Sequence, residues 1–514
     1  MNVAEQLHRC ARLYTGMPAA ICGEERRSVD EIEERSNRLA NALLAGGLVP
    51  GDRVASWLEN SIRCVELDFA LAKAGLVRVS LNPRLTPREA RIILEDSEAR
   101  AIVYGASFDA EIEKAVQDTP ACALMVRADE GTAALDGVRG FEDFLDSGGA
   151  HAPGIEIDDE AIYCLFYTSG TTGKPKGVML SHRAILHVCY NLLMEVGPLA
   201  LGEKVLLMQP LSHGSGFFVL PQFMKGGVSV IQRQFDAADA LRLTAEHEIE
   251  VVKLIPTMLQ RLLRVPGVEQ MQFPKLRAMI YGASPMPAEP LRRAIEVFGA
   301  KKLVQIYGQS ECPVTLSILP AEEHQLDQPH PERLISAGRP WTTMQMRVVD
   351  EDFQDVPVDG IGEVVLRGPQ MMSGYWRRDD LTREVMRGDW LKTRDMGRVD
   401  AHGFVYLLGR KDEMIISGGY NIAPREVEDV LYEHASVQEA AVVGETDAEW
   451  GQSVAAYVVF RDADAAKSLL AHGRERLGFK RPKRVYVMNE LPKNAAGKIQ
   501  KSALKPELAI GQLN

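Results

Sequence analysis

Short apolar strands that alternate with amphipathic helices along most of the chain predict an α/β protein with parallel-rich sheets. Two changes of texture refine that reading. Near Pro340 the helices give way to strands separated by Gly and Asp turns, "QMRVVD", "GIGEVVLRG" and "GFVYLLGR", which predict a small antiparallel β unit. After "GRKDEMIISGG" the pattern becomes a compact α+β set. A chain of 514 residues is too long for one core. The expected division is a large N-terminal domain, residues 1–410, and a small C-terminal domain, residues 411–514, with the boundary at Arg410 to Asp412.

The elements follow in order. In "MNVAEQLHRCARLYTG", Val3, Leu7, Cys10 and Leu13 recur at near-helical spacing and predict an amphipathic helix docked on the body; Glu5 on the polar face argues against a membrane-surface helix. "SVDEIEERSNRLANALLAGG" opens with a capping-box pair, Ser28 and Glu31, and stops at Gly46 and Gly47. "DRVASWLE" reads as a strand, "SIRCVELDFALAKAG" as a helix and "VRVSLN" as a strand. "ARAIVYG", "CALMVRA", "KVLLMQP", "VSVIQ", "VVKLIP", "LRAMIYG" and "KLVQIYG" continue the strands. The tail supplies "REVEDVLYEH", "VQEAAVVGE", "SVAAYVVF", "AKSLLAHGRERL" and "RVYVM".

Composition limits the function. The chain is 46% hydrophobic and 25% charged, an ordinary globular balance, and its net charge is -12. No nucleic-acid partner is expected, because such binders are usually basic. An anionic ligand would have to be held by local positive charge. Seven cysteines, an odd number without a CxxC pair, argue for a reduced, cytoplasmic setting and against a zinc site. No signal-peptide core or bilayer-spanning stretch is read in the sequence.

The most unusual stretch is "FYTSGTTGKPKGVMLSH", residues 166–182. It follows the buried-strand pattern "AIYCLFY". Gly170, Gly173 and Gly177 permit tight turns and close backbone approach to a ligand. Thr168, Ser169, Thr171 and Thr172 add hydroxyls, and Lys174 and Lys176 add charge. Such a loop suits phosphate oxygens. It is not a Walker A loop, because Gly170 and Gly173 are too close together and Pro175 follows Lys174.

The string resembles the phosphate-binding signature of the adenylate-forming superfamily, which includes acyl-CoA synthetases, peptide-synthetase adenylation domains and luciferases. Further motifs of that family follow in its order: "YGASPMP" at 281–287, "IYGQSE" at 306–311, "WLKTRDMG" at 390–397, "GRKDEMIISGGYNIAPREVE" at 409–428 and "LPKNAAGKIQK" at 491–501. The resemblance covers essentially the whole chain. It implies a ligase that uses ATP, magnesium and coenzyme A to convert a carboxylic acid through an acyl-adenylate into an acyl-CoA. It also implies that the C-terminal domain is mobile.

The resemblance assigns parts. Thr168 to Lys176 would cradle phosphates. Gly282, Ala283, Ser284, Gly308, Gln309 and Ser310 would border the nucleotide, with Ser310 standing where many relatives have Thr. Tyr307 matches an aromatic that packs on adenine, the alternative being a core tyrosine. Glu311 matches the magnesium-holding acid, Asp395 the ribose-binding carboxylate and Arg410 a ribose or phosphate contact. Lys498 matches the lysine that reaches the carboxylate and α-phosphate. Lys411 and Asp412 fall at the hinge, and Gly418 and Gly419 would leave room for the pantetheine arm. "PLSHGSGFF" at 210–218 stands at the acyl gate, so the acyl pocket is expected from His213, Ser215, Gly216, Phe217 and Gly282.

The segment lacks an Asp for an α-amino group and an Arg for a second carboxylate. The expected substrate is therefore a medium or long aliphatic, alicyclic or aromatic acid. The tail stretch "FRDADAAKSLLAHGRERL" is shorter than usual, and Gln452 stands where many relatives have Glu. A carrier-protein acyl-AMP ligase is the enzymatic alternative, an inactive ligand-binding scaffold the alternative of another class. A homodimer is left open.

Overall fold

The computed structural model describes residues 1–116, 122–129, 136–168, 175–196, 199–418, 420–447, 449–461, 466–494 and 497–513. Ser28 and Glu31 form the expected capping box at the start of the helix Val29–Ala45, each side chain accepting from the other's backbone N–H, at 2.7 and 3.3 Å. The helix Ile62–Ala74 ends at Gly75, whose φ of 66° few other residues would adopt. The N-terminal helix Val3–Leu13 buries Val3, Leu7 and Cys10 in the main core, as its spacing predicts, whereas Leu13, the last residue of that pattern, is exposed.

Four sheets result. One has eight strands in the order Gly374–Tyr375, Lys176–Ser181, Ile162–Thr168, Val77–Ser80, Arg53–Trp57, Ala101–Tyr104, Leu124–Arg127, Arg139–Gly140. The second has nine: Arg339–Pro340, Cys312–Leu319, Leu303–Gln309, Ala278–Gly282, Val251–Leu254, Lys204–Leu207, Val228–Ile231, Pro18–Cys22, Glu25–Ser28. The nine-stranded sheet is parallel inside and antiparallel at both ends, whereas the eight-stranded sheet is parallel from Ile162–Thr168 through Arg139–Gly140 and antiparallel only at its Gly374–Tyr375 end. The glycine-rich string therefore joins an antiparallel pair, in which Thr168 faces Lys176. The main core lies between these two sheets and the helices they enclose, among them His182–Glu195 and Val219–Met224.

The third sheet is wholly antiparallel and contains Gln345–Val349, Gly362–Arg367, Met386–Arg387, Trp390–Val399 and Val405–Arg410. Its longest strand, Trp390–Val399, carries no alternating apolar signal, because the buried positions include Thr393 and Asp395. The fourth sheet, from Ile415–Ser417 to Gly511–Leu513, has its own core of Ile415, Val427, Leu431, Val442, Val458 and Val485. No described helix is long and apolar enough to cross a membrane.

Candidate active site

A cavity of about 470 Å³ opens where several strands end. Gln209 and Pro210 follow Lys204–Leu207, Ile255 follows Val251–Leu254, Ala283 and Ser284 follow Ala278–Gly282, and Ser310 and Glu311 follow Leu303–Gln309. Strand carboxyl ends are where open α/β sheets leave room for ligands, because the connecting loops diverge there. Thr168 and Lys176 reach the cavity from the hairpin flanking the glycine-rich string. Ser169, Gly170, Thr171, Thr172, Gly173 and Lys174 lie outside the described residues, as does Gly419.

One wall is polar. Tyr375 donates its hydroxyl to Glu311 Oε1 at 2.7 Å, and Lys176 Nζ lies 5.3 Å from the Tyr375 ring centroid. Tyr375 escaped the sequence reading because it lies outside the motif blocks; the structure brings it in by pairing Gly374–Tyr375 with Lys176–Ser181. Among the described residues no cluster of three or more His, Cys, Asp or Glu could hold a metal ion. A single acidic group at the cavity fits magnesium carried largely on phosphate oxygens and water, because that ion keeps much of its hydration.

Asp395 lies just behind the wall. Its carboxylate accepts from the Tyr307 hydroxyl, from Gln309 Nε2 at 2.5 Å and from Arg410 Nη1 at 3.1 Å. Tyr307 thus turns its hydroxyl toward Asp395. Burial, then the Asp395 charge, raise its pKa well above 10. Burial works against the Arg410 charge, but Asp395 outweighs it and the pKa rises.

Lys498 enters from the fourth sheet's side of the molecule. Its backbone N–H donates to Asn494 Oδ1 at 2.9 Å, and its carbonyl accepts from Asn494 N at 2.8 Å, closing a tight loop. Solvent reaches its side chain through the cavity, while protein encloses its flanks. That enclosure lowers its pKa from 10.5; Asp395 and Glu311 oppose the shift and Arg410 adds to it. Arg425 Nη2 also crosses to the large unit, donating to the Met286 carbonyl at 3.3 Å.

The other wall is largely apolar. His213 and Phe217 line it, each 5.5–5.6 Å from the Phe166 ring. Burial, with help from Arg78 and Lys498, lowers the His213 pKa to about 4, so the ring is neutral near pH 7. Three of the residues expected in the acyl pocket, Ser215, Gly216 and Gly282, stand behind its surface. Ser215 is fully buried, with Gln209 Oε1 3.5 Å from its hydroxyl. A Cβ on Gly216 would come within 2.1 Å of the Leu211 carbonyl, and one on Gly282 within 2.1 Å of the Ile306 carbonyl. These two glycines permit close backbone packing, and their smallness does not enlarge the pocket. Lys253 also lines the cavity, and the sequence reading missed it, although a lysine inside "VVKLIP" breaks an apolar run.

Lys411, Asp412 and Gly418 lie off the cavity. Lys411 Nζ is 3.3 Å from Glu363 Oε2, and Asp412 Oδ1 accepts from Arg394 Nη2 at 3.1 Å. Gly418 has φ of 58°, and a Cβ there would meet the Trp450 ring at 2.5 Å.

Residues 7–376 match the family model described as AMP-binding enzyme, and residues 426–498 match that of the AMP-binding enzyme C-terminal domain. The chain belongs to the AMP-binding, adenylate-forming enzyme family. It is 34% identical over 503 residues to a feruloyl-CoA synthase of an Amycolatopsis species, covering 97% of each chain. Among solved structures it resembles the amide bond synthetase McbA of Marinactinospora thermotolerans, with 27% identity, TM-score 0.87 and coverage of 97% of this chain and 98% of that one. The o-succinylbenzoate coenzyme A synthetase of Bacillus subtilis, in complex with AMP, gives 29% identity and TM-score 0.84, again covering 97% and 98%.

Proposed function

We propose that this adenylate-forming enzyme is an AMP-forming carboxylic acid–CoA ligase. The observation that carries the reading is the meeting of Lys498 with Thr168, Lys176, Glu311 and His213 around one cavity, although these residues come from widely separated parts of the chain. The reaction joins two anions, so its chief demands are positioning and charge stabilisation. The acid's carboxylate oxygen attacks the α-phosphorus of ATP, a P–O bond forms, and pyrophosphate leaves with the electron pair. Lys498 and Lys176 offset negative charge on the two sides of that centre. Asp395 and Arg410 hold the ribose end. Magnesium, held by Glu311 and phosphate oxygens, would offset further phosphate charge when bound.

In the second step the CoA sulfur attacks the acyl carbon, the C–O bond to AMP breaks, and the thiol proton is released. The lysine loop must withdraw first. We assign that movement to residues 411–514 turning about Lys411 and Asp412, with Gly418 and Gly419 admitting the pantetheine arm. CoA as acceptor is supported by two relatives named for CoA thioester formation, whereas a third is named for amide-bond synthesis. The setting proposed is a reduced cytoplasm, in keeping with seven cysteines, an odd number.

The test is pyrophosphate release from ATP across a panel of fatty, alicyclic and aromatic acids, with and without CoA. Turnover that requires CoA and yields a thioester is expected. Adenylate that CoA cannot discharge would replace CoA with a carrier-protein thiol or an amine. No release with any acid would support an inactive scaffold.

A further inference from the structure

Lys253 contradicts its surroundings. The strand Val251–Leu254 is buried along its whole length, and buried strands are normally continuous apolar runs. The Lys253 side chain is nonetheless there, with the residue only 2% exposed. Among the described residues no carboxylate forms an ion pair with it. Its Nζ donates to the Leu254 carbonyl at 2.9 Å and lies 5.9 Å from the Phe218 ring centroid. An ammonium carries three N–H donors, and among the described residues one of them is used. Burial lowers its pKa from 10.5 to about 7, with no opposing acid.

A lysine in such a place costs stability that a Met or Leu would not. What distinguishes it from a misplaced core residue is the cavity, which it lines together with Phe217, Ile255 and Met258. Lys253 lies inside its strand, one residue before the end at which the cavity opens, and its apolar neighbours in the lining place it on the floor of the acyl side. A cavity of about 470 Å³ is large enough for an acid with a substituent reaching that floor.

We propose that Lys253 sets substrate specificity by donating a hydrogen bond from Nζ to a second oxygen on the acid, a carboxylate or phenolic oxygen at the end remote from the activated carboxylate. This inference rests on the acid-activating reading above and narrows it. The absence of an arginine in the acyl-gate segment suggested a pocket blind to a second polar group, but the buried lysine comes from a different strand. A site built to bond a substrate oxygen rejects the analogue that lacks it, because the buried donor is then left without its partner.

The test is ATP–pyrophosphate exchange with two matched pairs: octanoate against octanedioate, and cinnamate against 4-hydroxycinnamate. The first pair probes a carboxylate and the second a phenolic oxygen. In the wild type the oxygen-bearing member of at least one pair should have a kcat/KM at least tenfold higher. In Lys253→Met, which keeps an unbranched apolar stem and removes the ammonium, that ratio should fall toward one. Ratios of one or below for both pairs in the wild type would overturn the inference and leave the ligase reading intact. So would a wild-type ratio that Lys253→Met does not change. The wild-type comparison stands even if the variant fails to fold. Absence of exchange with all four acids, and with the wider panel, would overturn the ligase reading and this inference with it.

Discussion

Asp395 and Arg410 face each other across neighbouring antiparallel strands, and Arg410 Nη1 lies 3.1 Å from Asp395 Oδ1. The pair is built into strand register, so neither residue depends on a loop for its place. Arg410 Nη1 also donates to the Thr393 carbonyl at 3.0 Å, which fixes the guanidinium plane.

Removing Arg410 should therefore be a functional loss more than a folding loss. In Arg410→Ala the Asp395 carboxylate keeps its bonds from Tyr307 and Gln309. A hydrogen bond to a charged group is worth about 1.5–3 kcal/mol, or roughly tenfold to a hundredfold. The expected result is a fall of that order in kcat/KM for ATP in pyrophosphate exchange, with a folded protein by circular dichroism. Arg410→Lys should recover only part, because an ammonium cannot reproduce the planar fork.

Lys498 separates the two half-reactions. Lys498→Ala should reduce pyrophosphate release by about a hundredfold or more, the scale for loss of a group that stabilises transition-state charge. Transfer from supplied acyl-adenylate to CoA should persist. Equal loss of both would count against withdrawal of the lysine. The pH profile gives a second check. The ammonium form is the useful one, and enclosure lowers its pKa below 10.5. The kcat/KM of the first step should therefore decline as pH rises through that lowered value, and this alkaline limb should vanish in Lys498→Ala.

The proposed hinge is held lightly. The Arg394–Asp412 contact, at 3.1 Å, is a surface pair, and such pairs contribute about 0–1 kcal/mol, while Lys411, itself half exposed, reaches a buried Glu363 at 3.3 Å. Asp412 is in the first turn of a short helical segment, Lys411–Glu413, where proline is tolerated. Asp412→Pro should accordingly keep the lysine-inward arrangement and most pyrophosphate release. It should slow thioester formation at least tenfold by restricting the backbone. Unchanged thioester formation would move the hinge elsewhere.

The fold was largely legible because its strands are short apolar runs bounded by turn residues, as at "ARAIVYG" and "LRAMIYG". Trp390–Val399 shows where that signal fails. The strand holds a buried Asp395 and Thr393 for the site, so its alternation is not one of hydrophobicity. Tyr375 was invisible for a different reason. Its link to Glu311 spans 64 residues and is made by sheet pairing that local pattern does not encode. Lys253 was visible as an anomaly in an apolar run, yet only the cavity gives that anomaly a direction. Gly216 and Gly282 are expected from sequence to line the acyl pocket, but the backbone carbonyls beside them make their lack of a side chain a packing requirement.

Acid should destabilise the protein through two buried histidines away from the cavity. His324 is fully buried, with Nδ1 2.9 Å from the Pro320 carbonyl and Nε2 2.9 Å from the Tyr281 hydroxyl. His182 is 1% exposed, and its Nδ1 accepts from the Val3 N–H at 3.3 Å. His182 thus uses Nδ1 as an acceptor, which protonation would destroy, and protonation of His324 would force the Tyr281 hydroxyl to turn from donor to acceptor. Burial lowers both pKa values from 6.5 to about 4. The unfolded chain takes up these protons near pH 6.5 and the folded one only near pH 4. Between those values the unfolded state binds more protons, so stability is full above about pH 6.5 and is lost as pH falls toward 4. At about 1.4 kcal/mol per pKa unit, each histidine carries up to about 3 kcal/mol of that loss. Urea midpoints measured at pH 7, 6 and 5 should fall steadily. The double variant His182→Gln, His324→Gln should start lower and show a flatter slope. A wild-type midpoint that does not move between pH 7 and 5 would mean that neither ring is held neutral by burial.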